Sequence, residues 1–229
     1  MTIFRFALIR GLRSPATFIF NCVLPLLLIL VRPLWTGEVF LSGFGVLIML
    51  IWGGTFLMCQ NIITDRTDGA LTRILAGPVS MLNYLTQNLL AYMIPLTVQV
   101  ALISVLGALL YGWSLSLVLA FVLCYTIFTM TSVAMSFAWN CLFKSKDSSF
   151  STFTAVVTFG TFLSGALIPL ELLPTVLQYV GAVFPAYWAA RALSFALEGS
   201  ATIEYWIGIA VMVLFTAAYL LYGGKRRMI

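Results

Sequence analysis

The chain has 229 residues, of which 62 % are hydrophobic and only 8 % are charged. Because soluble domains carry about 25 % charged residues, this composition excludes a water-soluble globule and predicts an all-α protein whose helices cross a membrane. The net charge of +5 lies in the segments between apolar runs. We therefore expect membrane lipid, and not nucleic acid, beside these charges.

The first 14 residues predict an amphipathic helix that lies in the plane of the membrane interface. Its large apolar side chains share one face at helical spacing, and its arginines lie off that face. The apolar set is Phe4, Leu8 and Leu12, and the basic set is Arg5, Arg10 and Arg13. No small-x-small cleavage site follows, so we expect this segment to be retained and not removed as a signal peptide.

Six later segments are apolar enough and long enough to cross a bilayer, which takes about 20 helical residues. They cover residues 16–34, 41–63, 85–110, 116–142, 150–168 and 205–222. With the N-terminus in the cytoplasm, ten of the 12 Lys and Arg residues fall on the cytoplasmic side, and only Arg32 and Arg191 fall outside. This bias predicts a multi-pass protein of the cell membrane with both termini in the cytoplasm.

A polar island at residues 64–80 separates the second and third predicted spans and reads TDRTDGALTRILAGPVS. Asp68 is a favourable helix N-cap and Gly77-Pro78 a favourable stop, so the residues between them predict about two helical turns. Apolar side chains share one face of this helix, Arg73 points away, and two charged residues precede it. The apolar set is Leu71, Ile74 and Leu75, and the charged pair is Asp65 and Arg66. Such a helix either docks on a cytosolic partner or rests on the membrane surface, and the pattern favours neither.

Small and hydroxyl-bearing residues form lines along two of the predicted spans. In the fifth span the line is Thr154, Thr158, Thr161 and Gly165, and in the fourth it is Ser132, Ser136 and Asn140. Such lines are typical of close helix packing through small residues. The alternative is that the line in the fifth span borders a transport path. Gln99 in the third span predicts a hydrogen bond to a neighbouring helix.

Residues 169–197 are apolar but broken by proline, which removes a backbone donor and interrupts a helix. The interruptions are Pro169, Pro174 and Pro185, with Glu171 between the first two. A complete crossing here would also move the C-terminus to the outer side, against the distribution of basic residues. We therefore predict short re-entrant helices that enter the outer leaflet and return before the sixth span.

The residue types needed for catalysis or metal binding are scarce in this sequence. The chain has no histidine and four cysteines, which all lie in apolar runs without metal-ligand spacing. It has no phosphate-binding loop motif, and no predicted span carries Asp, Glu, Lys, Arg or His at mid-depth, where ion-coupled carriers usually place such residues. We therefore expect no catalytic, metal or cofactor site in this chain, and any energy for transport would come from another protein.

Two stretches resemble the ABC-2 type transporter permeases. DRTDGALTRILAGPVSMLNYL, at 65–85, is similar to the segment after the second span of these proteins. FLSGALIPLELLPTVLQYVGAVFPAYWAARAL, at 162–193, is similar to their stretch of Leu-Ser-Gly followed by spaced prolines. Asp65 stands where the family more often has Glu, and Ala70 replaces the usual Thr. With six spans and the N-terminal helix, the resemblance covers essentially the whole chain.

The resemblance implies a single ABC-2 type transmembrane domain over residues 1–229 that works as an export permease. Two permease subunits, identical or different, would pair, and two copies of a separate ABC ATP-binding subunit would bind ATP and Mg²⁺. The coupling segment at 64–80 would contact that subunit through Asp65, Arg66, Asp68, Gly69, Leu71, Arg73, Ile74 and Leu75. The N-terminal helix would also contact it, the re-entrant helices would close the outer end of the path, and spans 1, 2 and 5 would face the second permease.

The resemblance does not specify the cargo. A drug, an antimicrobial peptide or another amphiphile is one class, and a lipid-linked polysaccharide is the alternative within the same family. A membrane protein that does not transport, such as an immunity or scaffold factor, is the alternative from another class. A secondary carrier is disfavoured because the predicted spans lack ionisable groups at mid-depth.

Overall fold

The computed structural model describes residues 2–37, 42–198 and 203–225, and all regular secondary structure within these ranges is helical. The N-terminal part contains α1 (Thr2–Arg13), α2 (Pro15–Phe18), a π-helical turn (Ile19–Val23), α3 (Leu24–Leu30), α4 (Pro33–Thr36), α5 (Gly43–Cys59), α6 (Asn61–Thr67) and α7 (Ala70–Leu75). The remainder contains α8 (Met81–Tyr111), α9 (Leu115–Asn140), α10 (Lys146–Leu163), a 3-10 turn (Leu170–Leu172), α11 (Thr175–Gly181), α12 (Pro185–Leu197) and α13 (Ile203–Lys225).

Within the described ranges, four helical segments are long and apolar enough to cross a membrane, or up to six if each of two bent pairs counts as one crossing. The four are Gly43–Thr67, Met81–Tyr111, Leu115–Asn140 and Ile203–Lys225. They coincide with the second, third, fourth and sixth predicted spans, because long apolar runs are the strongest local signal for a membrane helix. An all-helical, multi-pass architecture is therefore confirmed, whereas the count of six crossings stays a prediction.

The first predicted span, 16–34, divides into a helical rod and the start of α4 (Pro33–Thr36), with Val31 and Arg32 between them. Helix α2, the π-helical turn and α3 together form one rod over Pro15–Leu30, and the Ser14 side chain accepts a hydrogen bond from the Thr17 backbone N–H at its start. The chain bends by 75° between α1 and this rod. The angle separates α1 from the rod that we predict to be the first crossing, and the position of α1 in the membrane interface also stays a prediction.

The fifth predicted span, 150–168, ends earlier than expected. Helix α10 stops at Leu163 and is not one of the four long apolar segments. The chain turns at Gly165, whose φ of +77° lies in the left-handed region that favours glycine. The prediction that Gly165 continues the threonine face of this helix is therefore wrong.

Helix α9 lies at the centre of the bundle and packs against α5, α8, α12 and α13. The Ser132 and Ser136 hydroxyls are buried and donate to carbonyls of their own helix at 2.8 and 2.7 Å. The Asn140 side chain accepts a hydrogen bond from Ser149 at 2.7 Å, which joins α9 to α10. The predicted close packing along the fourth span is therefore confirmed.

Short helices occupy residues 169–197, as the proline spacing predicts. Pro169 precedes the 3-10 turn, Pro174 precedes α11, and the buried Pro185 begins α12. Helices α11 and α12 meet at 102°. The side of the membrane that these helices enter stays a prediction, and the side chain of Glu171 lies outside the described part of the structure.

Candidate functional site

The island between α6 and α8 contains the predicted short helix, but its start differs from the prediction. Asp68 is not the N-cap of α7, because its backbone N–H bonds to the Thr64 carbonyl at 2.9 Å and closes the end of α6. Gly69, with φ of +69°, reverses the chain and precedes α7 without a side-chain cap. The requirement for a left-handed turn residue therefore overrides the capping preference of Asp68.

The apolar face of α7 packs against the protein itself. Leu71 is 1 % exposed, and Ile74 and Leu75 are partly buried against the same apolar cluster. Arg73 points away, as predicted, and donates to the Asp68 carbonyl at 3.1 Å. The apolar face is therefore not an exposed docking knob, and the surface of α7 that remains for a partner is polar.

Asp65, Arg10 and Tyr84, here named the Asp65 cluster, join three helices. Asp65 lies in α6 and is 8 % exposed. The terminal nitrogens of Arg10, in α1, donate to its two carboxylate oxygens, one of them at 2.9 Å. The Tyr84 hydroxyl, in α8, donates to the same carboxylate. Bidentate, charge-assisted hydrogen bonds of this kind are stronger than neutral ones and hold the three helices in one arrangement.

The Asp65 cluster revises what the sequence suggests for its members. The helical pattern of α1 places Arg10 away from the apolar face, whereas the structure turns it towards the bundle. Asp65 is expected to be a contact for a partner protein, whereas it is buried. Tyr84 is missed altogether as a site residue. The one available signal is that a carboxylate at the end of an apolar helix needs a cationic or hydrogen-bonding partner.

The guanidinium of Arg10 keeps its charge in this cluster. Its burial opposes the charge, but the hydrogen bond and the negative charge of Asp65 outweigh this effect and raise the pKa of Arg10 above its ordinary value. Within the described structure, Arg10 Nε has no hydrogen-bond partner. The Arg10 side chain is 38 % exposed, so the ion pair is weaker than a fully buried one.

Helix α1 packs on the bundle through its smallest residues. Ala7 is 2 % exposed, and a Cβ added at Gly11 would lie 2.9 Å from Met58 and 3.1 Å from Tyr92. Phe6, in contrast, is 71 % exposed. The buried face of α1 is therefore centred on Ala7 and Gly11, because small residues allow a close approach to α8.

The apolar and basic side chains that the amphipathic pattern assigns to different faces of α1 also differ in exposure. Phe4 and Leu8 are partly buried against the apolar cluster that contains Leu71. Arg5 and Arg13 are exposed. The pattern separates these four positions correctly, and the side chain of Leu12 lies outside the described part of the structure.

A cavity of about 580 Å³ lies between α1, α7 and α8, and the Asp65 cluster forms part of its wall. Arg13 lines it from α1, Ile74 from α7 and Asn88 from α8. A partner side chain that enters this cavity would meet apolar, basic and polar groups together.

Arg66 ties the end of α6 to a fourth part of the bundle. Its guanidinium donates to the carbonyl of Phe143, in the turn after α9. A displacement of α6 would therefore reach α1 through Arg10, α8 through Tyr84 and the end of α9 through Arg66.

The threonines predicted along the fifth span occupy different environments. Thr161 is fully buried, and its hydroxyl donates to the Val157 carbonyl at 2.6 Å. Thr154 is exposed and Thr158 is partly buried, and both line a cavity of about 140 Å³ between α10, α5 and the Pro15–Leu30 rod. The structure thus brings together only two of the four residues predicted to border a transport path.

Among the residues that the structure describes, no group of three or more His, Cys, Asp or Glu side chains is arranged to hold a metal ion. All four cysteines are free thiols. Three of them are buried, and Cys22, in the π-helical turn, is partly exposed.

Comparison with curated proteins finds no match. The sequence pattern of the ABC-2 family transporter protein matches residues 35–224, well over half of the chain. This range includes Asp65, α7 and the proline-broken helices, but not α1. Members of the family are membrane components of transporters that associate with an ATP-binding subunit and have no catalytic activity themselves. The chain therefore belongs to the ABC-2 family, as the resemblance predicts, and is an ABC-2 type permease.

Proposed function

We propose that this protein is the membrane subunit of an ATP-driven exporter of the cell membrane and that α7 receives movement from a separate ATP-binding subunit. The observation that carries the proposal is the Asp65 cluster, which connects the helix beside α7 with α1 and α8. Because the carboxylate is held by both Arg10 and Tyr84, α6 has little freedom to move alone.

The outward face of α7 is the surface that we assign to the ATP-binding subunit. Thr72 and Arg73 are exposed on this face, and Asp68 is exposed beside it at the end of α6. The cavity beside α1 supplies a recess for a partner side chain. Charged and polar groups contribute more to the specificity of a contact than to its strength. Docking is thus assigned to the polar face of α7, and transmission of force to the buried Leu71.

Helices α6 and α5 provide a route from this surface into the membrane. They form one nearly continuous segment over Gly43–Thr67, and α5 packs against α9 and α10. In the mechanism that we propose, nucleotide binding closes the two ATP-binding subunits, α7 moves inward and α5 shifts against α10. An amphiphile bound near Thr154 and Thr158 is then released outward past the helices that follow Pro169 and Pro174.

The complete transporter would contain two permease subunits, identical or different, and two ATP-binding subunits that hold ATP and Mg²⁺. Spans 1, 2 and 5 would face the second permease, and Phe20 on the first rod and Phe159 and Phe162 on α10 are exposed apolar side chains available for that contact. The N- and C-termini would lie in the cytoplasm with α7. A drug, an antimicrobial peptide or a related amphiphile is the proposed cargo, since apolar side chains dominate the cavity between α5 and α10.

Co-purification with the ATP-binding subunit tests the docking surface. Arg73→Glu reverses a charge on the exposed face of α7, and Lys225→Glu reverses an exposed charge at the end of α13 as the matched control. We expect Arg73→Glu to reduce the affinity for the ATP-binding subunit about tenfold and Lys225→Glu to leave it unchanged. Equal retention by the two variants would contradict docking at α7.

Hydrolysis of ATP distinguishes a transporter from a membrane scaffold or immunity factor. In vesicles that contain the permease and its ATP-binding subunit, a transporter is expected to hydrolyse ATP faster as the concentration of an amphiphilic cargo rises. A scaffold would bind the same subunit without this response, and that result would favour the alternative function.

A further inference from the structure

Gln99, on α8, is a buried polar residue within the apolar part of the bundle. Its side chain is 5 % exposed, and neither its amide nitrogen nor its amide oxygen has a hydrogen-bond partner in the described structure. The sequence-based prediction of a hydrogen bond to a neighbouring helix is therefore wrong for this chain alone. Lipid tails offer neither donors nor acceptors, so an amide at this depth is strongly unfavourable until something binds it.

Asn21, in the π-helical turn of the first rod, is a second polar residue at the same place. Its side-chain nitrogen donates to the Thr17 carbonyl at 3.0 Å and to the Gly54 carbonyl at 3.1 Å, which fixes the side chain against α5. Its side-chain oxygen has no partner among the described residues. π-Helical turns inside α-helices are found frequently at functional sites.

Asn21 and Gln99 line one cavity of about 310 Å³ between α1, the first rod and α8, here named the Gln99 cavity. The rest of its lining is almost entirely apolar. Ile94, Val98 and Leu102, which border it on α8, are between 46 % and 54 % exposed, so the cavity reaches the outer surface of the bundle. Its volume falls within the range of about 300–1,000 Å³ that is common for ligand pockets.

We propose that the Gln99 cavity binds an amphiphile whose apolar chain carries a hydroxyl group between its ends. The unpaired amide atoms of Gln99 are covered in the described structure. Since a hydroxyl both donates and accepts, it can accept from the Gln99 nitrogen or donate to the Gln99 oxygen once that side chain turns into the cavity. The apolar walls hold the chain on both sides of that group. The partly exposed residues of α8 give such a molecule a lateral entry from the bilayer.

This site is independent of the proposed docking of an ATP-binding subunit. Binding to the Gln99 cavity needs the permease alone, whereas docking is read from co-purification of a second protein. The failure of one proposal would therefore leave the other untouched.

Photolabelling of the purified full chain in detergent micelles tests the site. The probe is a fatty-acid methyl ester that carries a hydroxyl at mid-chain and a diazirine, and its control is the same ester without the hydroxyl. We expect the hydroxylated probe to label peptides that contain residues 21–26 and 94–102 about fivefold more than the control probe, the gain that one neutral hydrogen bond provides.

Gln99→Leu is expected to abolish this preference for the hydroxylated probe. Gln87→Leu is the matched control, because Gln87 lies on the same helix but does not line the Gln99 cavity; it should keep the preference. Where Gln99→Leu does not fold, Gln99→Met, of similar length and flexibility, replaces it. Equal labelling by both probes in the wild type, or an unchanged preference in the Gln99 variants, would overturn the proposal.

Discussion

The Asp65 cluster and the Gln99 cavity both place polar side chains in an apolar bundle, with opposite results. Both oxygens of Asp65 have partners within the chain, whereas the amide of Gln99 has none in the described structure. The carboxylate of Asp65 is fully paired within the chain, so its role in the described structure is to join helices. The hydrogen bonding of Gln99 is incomplete and favours a molecule from outside the chain. Under our proposal, hydrogen-bond satisfaction, more than polarity, distinguishes the structural role of Asp65 from the binding role of Gln99.

Asp65→Leu is expected to have the largest effect on stability, because it leaves the Arg10 guanidinium and the Tyr84 hydroxyl unpaired. We expect a loss of about 2–3 kcal/mol, less than for a fully buried pair, since Arg10 is partly exposed. Thermal unfolding in detergent measures this loss. Asp68→Leu is the control at an exposed carboxylate, with an expected change within about 0.5 kcal/mol. Equal melting temperatures for the two variants would contradict the joining role of Asp65.

A double-mutant cycle tests whether Arg10 and Asp65 act as one pair. Arg10→Met combined with Asp65→Leu removes both charges, so the double variant should be more stable than Asp65→Leu alone by about 1–2 kcal/mol. The same unfolding measurement applies. If the loss of stability in the double variant equals the sum of the losses in Arg10→Met and Asp65→Leu, the two residues do not stabilise each other.

Tyr84→Phe removes one hydroxyl and keeps the ring, so it isolates the contribution of α8 to the cluster. We expect a loss of about 1.5 kcal/mol, because the carboxylate loses one hydrogen bond and keeps Arg10. Tyr179→Phe, at a residue that is 75 % exposed, provides the reference in the same unfolding experiment. If Tyr84→Phe and Tyr179→Phe have the same melting temperature, the Tyr84 hydroxyl does not hold α8 to α6.

Gln99→Leu is expected to have the smallest effect on stability. Whether it raises or lowers the free energy of unfolding is the most direct test of the contrast between Gln99 and Asp65. Removing an unpaired amide from an apolar site should leave stability within about 0.5 kcal/mol of the wild type or raise it. Gln87→Leu again serves as the reference in thermal unfolding without added amphiphile. A loss above about 1 kcal/mol for Gln99→Leu would reveal a structural hydrogen bond and remove the contrast with Asp65.

The helices of this protein are predictable from sequence to the extent that their signals are local. The long segments Leu115–Asn140 and Ile203–Lys225 follow from apolar length alone. The short helices after Pro174 and Pro185 follow from missing backbone donors. The start of α7 does not, because Asp68 satisfies a capping rule that the left-handed turn at Gly69 overrides.

The candidate site is less predictable, because it depends on which residues meet. Arg10 and Asp65 are 55 positions apart, and no periodicity in one sequence relates them. The amphipathic pattern of α1 groups its residues into faces but does not say that Ala7 would be buried while Phe6 is exposed. For Gln99 the sequence indicates a need for a partner, and only the packed structure shows that the chain supplies none among its described residues.

The distribution of cysteines has a practical consequence. Cys22 borders the Gln99 cavity, and the other three thiols are shielded inside the bundle. Cys22 is therefore the thiol that a membrane-permeant alkylating fluorophore would reach first in the native chain, at an alkaline pH that supplies the thiolate. The emission of the attached fluorophore would then report, in real time, whether an amphiphile occupies the Gln99 cavity.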